Sequence, residues 1–278
     1  MPAGARRAVR LEEDTMSDTI GPELLGRRYE PDPRDWKMST LLALDAPTSD
    51  LLSKTVQQVI DDKTYFSSWQ GILVFWRWAK QLQGGQTPTP TPVEKSKVWE
   101  DPIQLDQGQT NHCVGFGWAG WGDAAPVEDR YQNADAHAIY YEAKVIDGQP
   151  RQENGSSVRS GAKAMVNRRR LGAYVFAEKV EEVEQWVLAH GPVVVGTDWT
   201  QDMFTPDKEG FIRPTGRIAG GHCYLMIGYD STADVFTFDN SWGPSWGLEG
   251  RFKMHASDFA ELLAQQGEAC AGLELPLA

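Results

Sequence analysis

The stretch QGQTNHC, Gln107 to Cys113, decides the reading of this chain once it is joined to two segments far downstream. These are GGHCYLMIGYD (220–230), which carries His222, and FDNSWGPSWG (238–247), which carries Asn240. In chain order the set is glutamine, cysteine, histidine, asparagine, the parts needed for acyl transfer through sulfur. A thiolate is a strong nucleophile, but a cysteine near its ordinary pKa of about 8.5 is mostly protonated at neutral pH and needs an imidazole partner. His222 is the candidate base. An imidazole keeps one tautomer and one orientation when its second nitrogen is held, a role that suits the Asn240 amide. Gln107 can donate a side-chain N–H to a developing oxyanion.

These residues resemble the papain-like cysteine peptidases, in particular members of bacterial or phage type. The glutamine-to-cysteine spacing, the histidine opening an apolar strand and the string from Asn240 to Gly247 carry the resemblance, with HGPVVVGTDW (190–199) and NGSSVRSGAKAM (154–165) in support. It extends over about residues 98 to 275. It implies an α+β, two-lobed fold, with the nucleophile helix in an α-rich half, an antiparallel β-rich half and the active site between them. By resemblance, Asn154 and Gly155 fall in the loop that pairs with substrate backbone, Trp242 shields the asparagine–histidine bond and Trp246 lines the leaving-group side. The bland readings are a helix-entry loop and core aromatic packing. Thr110, Asn111, His112 and Val114 depart from the family's usual neighbours of the nucleophile.

The local patterns agree. Small residues after Cys113 suit a close-packed helix whose N-terminus would favour a thiolate. Residues 135–147 and 180–191 read as helices, the latter ending in His190 and Gly191. A serine-capped helix is expected after Asn154. Beyond Pro192, short alternating runs read as strands. His112, beside the nucleophile, is the weaker candidate base, because neighbouring side chains at a helix start diverge. His137 reads as a surface or packing residue.

Three cysteines in 278 residues cannot build a disulfide framework, so Cys113, Cys223 and Cys270 are expected to be reduced. The N-terminus lacks the apolar stretch of a signal peptide, and no run reaches membrane-spanning length, so the chain is expected to be cytoplasmic at synthesis, with incorporation into a larger assembly such as a virion open. A formal charge of −12 disfavours nucleic acid and anionic membrane as partners. The pattern contains no metal or cofactor signature, and the expected partner is a peptide or protein substrate.

Residues 1–97 read as an extension and 98–278 as the catalytic domain. The extension comprises an extended strap at 27–38, where two prolines oppose helix, then helices over about 50–61 and 67–82, then a proline–threonine connector at 84–97. An inhibitory pro-segment, a module for docking or self-association and an architectural cover all fit it. The reaction expected is endopeptidase cleavage. The alternatives are an amidase or transpeptidase on cell-wall peptides, and a structural or docking component of a phage particle or secretion assembly with auxiliary peptidase activity.

Overall fold

The computed structural model describes residues 20–42 and 95–274. The helices expected over 50–61 and 67–82, and most of the connector, lie outside the described residues. The N-terminal strap contains strand β1 (Arg27–Arg28) and helix α1 (Met38–Leu42), and β2 (Ser96–Val98) follows. The helical half is α2 (Cys113–Asp123), α3 (Asn133–Ile146), the short strand β3 (Ser156–Ser157) and α4 (Val158–Asn167). Then come β4 (Leu171–Phe176), α5 (Val180–Ala189), β5 (Val193–Thr200), β6 (Ile218–Asp230), β7 (Val235–Asp239), β8 (Arg251–His255), α6 (Ala256–Ala264) and β9 (Glu268–Glu274). The large sheet runs β4-β9-β5-β6-β7-β8, antiparallel throughout, with β2 added antiparallel on β6. The boundary expected between residues 97 and 98 thus falls inside β2.

Strand alternation divides the interior into two cores. Along β6, Cys223, Leu225 and Ile227 face a core shared with α2, α3 and α4, while Tyr224 and Met226 face a core shared with α5, α6, Trp199 and the Phe236/Phe238/Phe252 cluster. A period of two sends neighbouring residues to opposite faces, so one strand serves both lobes. The result is the α+β architecture expected, an α-rich half against an antiparallel β-rich half.

Helix α2 is buried along its whole length, which accounts for a composition apolar on every side. Glycine is tolerated there because the strand comes so close: a Cβ on Gly117 would stand 2.8 Å from Cys223 Sγ. The serine cap expected after Asn154 is Ser157, whose side chain accepts from Ser160 N–H. His190 ends α5 as expected.

Candidate active site

Cys113 is the first residue of α2, so its sulfur sits at the end of the helix that carries free backbone N–H groups. β6 packs against the same helix and brings in His222 next to Cys223. The loop after β7 supplies Asn240. His222 Nε2 lies 2.8 Å from Asn240 Oδ1, and Ser241 N–H donates to that same oxygen at 2.9 Å. A backbone N–H can only donate, so the amide oxygen is the accepting atom and Nε2 carries the histidine proton. Nδ1 is therefore the basic nitrogen. It is buried and has no hydrogen-bond partner. Trp242 stacks on the His222 ring at 4.7 Å and Trp199 meets it edge-on at 4.9 Å, so apolar rings screen the His222–Asn240 bond from water. Trp246 packs 5.0 Å from Trp242 and donates from Nε1 to the Phe204 carbonyl, a core position behind Trp242.

Gln107 is tied to the same loop. Its backbone N–H donates to the Ser241 carbonyl, and the Ser241 hydroxyl donates to its Oε1 at 2.7 Å. The side-chain NH₂ is thereby turned the other way, where it donates to the carbonyls of Leu24 (2.9 Å) and Thr110. Ser241 carried no signal in the sequence beyond its place after Asn240.

Leu24 belongs to the strap, and the strap fills the space over these groups. β1 pairs parallel with β3, Arg27 against Ser156 and Arg28 against Ser157, and Ser156 N–H donates to the Gly26 carbonyl at 2.8 Å. Gly155 is held at φ +75°, and a Cβ there would overlap that carbonyl. A Cβ on Gly26 would overlap the Asn111 carbonyl, and one on Gly221, just before His222, would overlap the Arg27 carbonyl. The strap thus threads between the start of α2, the Gly155–Ser157 loop and the start of the His222 strand. The sequence predicted an extended strap over 27–38; the segment seated here, 24–28, overlaps it only at Arg27 and Arg28, and its seat over Cys113 was not legible. Asn154 points away, its amide bonded to Lys144, Gln149 and Gln152.

Closure reverses one expectation. The helix terminus and His222 were expected to lower the Cys113 thiol. Burial instead pushes it up to about 11, with backbone N–H groups of Cys223, Gly26 and Val114 offsetting only part of the cost. His222 is pushed down to about 4, again by burial, against the opposing bond to Asn240. In the strap-docked state both groups are neutral. His112 is engaged elsewhere: Nδ1 lies 2.7 Å from His137 Nδ1, Nε2 2.8 Å from Glu153, and the ring stacks on Tyr140 at 3.8 Å. Cys223 and Cys270 are free and buried in the helical core.

Among the described residues, no group of three or more His, Cys, Asp or Glu side chains converges as metal ligands, and no helix is long and apolar enough to cross a membrane.

The papain family cysteine protease model matches residues 121–269, more than half of the chain. The chain belongs to that family. The match takes in His222, Asn240, Trp242 and Trp246 and begins after Gln107 and Cys113. The cathepsin B-like cysteine proteinase 6 of Caenorhabditis elegans is 29% identical over 84 residues, 30% of this chain and 22% of that protein. The cathepsin B-like cysteine proteinase 1 of Haemonchus contortus is 32% identical over 85 residues, 30% and 25%. The matched stretch thus spans about a quarter of the length of these papain-family relatives. Among solved structures, xylellain, a cysteine protease from Xylella fastidiosa, superposes with a TM-score of 0.62 at 14% identity, covering 92% of this chain and 97% of its own. Procathepsin B S9 from Trypanosoma congolense gives 0.54 at 10% identity, covering 91% and 87%. At such identities these two speak for the papain-like fold alone.

Proposed function

We propose that this chain is a cysteine endopeptidase, and that the strap-docked conformation is its latent state. The observation that carries the reading is that the cleft already holds an extended peptide. Residues 25–28 run through it, after a 3-10 turn that ends at Leu24, with Arg27 and Arg28 paired to Ser156 and Ser157 and the Leu24 carbonyl on the Gln107 amide. A cleft that binds backbone in this way suits a peptide or protein substrate.

With the strap displaced, water enters, Cys113 and His222 are no longer desolvated, and Nδ1 can take the thiol proton. The sulfur attacks the scissile carbonyl carbon, and the oxyanion is met by Cys113 N–H and Gln107 Nε2–H. The imidazolium protonates the leaving amine as the C–N bond breaks. Water, deprotonated by His222, then cleaves the thioester and frees the acid. Asn240 holds Nε2 throughout. In the docked state the Gly26 N–H faces the sulfur.

Gly26→Ala in the full chain tests this, since its Cβ would overlap the Asn111 carbonyl and keep the strap from seating. The variant should hydrolyse a peptide library far faster than the parent chain and yield a Cys113 acyl adduct by mass spectrometry. An inert Gly26→Ala chain that remains folded would sink the reading.

A further inference from the structure

The strap also reports what the cleft accepts as a side chain. Arg27 enters a pocket in the body of the protein, its side chain 1% exposed, and meets Glu268, which is 5% exposed. Nε and Nη2 both donate to Glu268 Oε2, at 3.1 and 2.8 Å, and Nη2 also donates to the Gln266 carbonyl. The wall is glycine for a reason: a Cβ on Gly196 would stand 2.9 Å from Arg27 Nε and 2.6 Å from Val158 Cγ2. Glu268 lies opposite Gly196 in the β5–β9 register, so two adjoining central strands form the floor. The next side chain, Arg28, sits at a shallower seat, 24% exposed, on Asp147 (2.6 Å) and Gln149 (2.7 Å).

Wall and floor belong to the protein body and only the occupant belongs to the strap. When the strap leaves, Glu268 remains buried without the guanidinium bonded to it, with Arg159 of α4 acting on it only electrostatically, and its Oε1 is already buried without a partner in the docked state. Such a group is costly unless a cation returns to it or it takes up a proton. A planar guanidinium, with donors on Nε and Nη2, suits one carboxylate oxygen and one carbonyl together; a compact ammonium does not reproduce that fork.

Resting on the peptidase reading, we propose that the cleft selects peptides presenting arginine to this pocket, with Glu268 as the specificity-determining residue. The strap's Arg27 then acts as a resident mimic of the substrate side chain.

The test uses full-length Gly26→Ala chain and a pair of peptidyl fluoromethyl ketone libraries, identical except that one carries arginine and the other norleucine at each position in turn. At one position, arginine should accelerate Cys113 labelling on the order of 10²-fold over norleucine, because the apolar analogue leaves the carboxylate unpaired. Glu268→Gln should cut that ratio to within a few-fold, with lysine probes staying below arginine in the parent pocket. Equal arginine and norleucine rates at every position, or a ratio unchanged by Glu268→Gln, would overturn the subsite and leave the peptidase standing. If Glu268→Gln does not fold, the ratio in the Glu268-intact chain decides alone. No labelling by any peptidyl probe, while iodoacetamide still modifies Cys113, would overturn the peptidase reading and the subsite with it.

Discussion

Two imidazoles are candidates to serve the nucleophile, His112 beside it in the chain and His222 on the strand packed against its helix, and their surroundings differ in kind. His222 is sealed from solvent and bonded to a neutral amide, Asn240, which connects through Ser241 to Gln107. His112 bonds a carboxylate, Glu153, and a second imidazole, His137. Both rings are pushed down by burial, but at His112 the Glu153 carboxylate works against that and favours the charged form. Both His112 nitrogens are occupied, whereas His222 keeps a buried nitrogen with no partner. A general base is picked out by the nitrogen left free and by a partner that fixes the tautomer without holding the proton. Adjacency in sequence does not do it.

The comparison breaks or holds most visibly on substitution of the two rings in the Gly26→Ala chain. His222→Ala should lower kcat by at least about 10⁴-fold, the upper range for loss of a general acid and base. His112→Phe keeps a flat ring on Tyr140 and should stay within about tenfold. A reversal of that ranking in steady-state kinetics would transfer the role to His112.

The neutral network is next in size. Gln107→Ala removes one oxyanion donor and should cost on the order of 10²-fold in kcat, with KM little changed. A wild-type kcat would mean that the Leu24 carbonyl on Gln107 marks only a structural contact.

Most of the neutral network was legible because chemistry restricts it to few residue types: cysteine, histidine, asparagine and glutamine in a fixed order leave little room for accident. The helix at Cys113 and the strands of residues 193–255 followed from period and turn residues. β9 was not legible, since Glu268-Ala-Cys-Ala-Gly-Leu-Glu274 has little β-branched character and owes its place to pairing with β4 and β5, elements distant in sequence. Glu268 was hidden with it. The charged network was missed for a related reason: Glu153 reaches His112 only through the turn of the loop after α3, and such contacts have no signature along the chain. The thiol shift was misjudged because the helix-terminus argument assumes an open site, and nothing in the strap's sequence announced that it closes this one.

Proton uptake offers a third discrimination. In the docked state burial lowers His222 to about 4. Between about pH 6.5 and 4 the undocked state therefore binds more protons, so docking is at full strength above about 6.5 and weakens as pH falls through that window. Glu268 stays in the body but loses Arg27 when the strap leaves, so it too takes up a proton more readily in the undocked state and acts in the same sense. In the unsubstituted chain, deuterium exchange across residues 24–28, corrected for its intrinsic pH dependence, should speed up between a few-fold and tenfold per pH unit below 6.5. Protection that grows on acidification would overturn this sign. A slope unchanged by His112→Phe would assign the effect to the sealed ring.

The smallest expected effect concerns the link inside the neutral network. Ser241→Ala keeps the backbone N–H that sets the Asn240 amide and deletes only the hydroxyl that turns Gln107 toward the oxyanion position. One such neutral hydrogen bond is worth about 1 kcal/mol, so kcat should fall roughly fivefold in the Gly26→Ala background. Because the hydroxyl acts through Gln107, the same substitution in a chain already bearing Gln107→Ala should cost almost nothing. An equal loss in both backgrounds would mean that Ser241 works through Asn240 and His222 instead, and the joined network would divide into two independent parts.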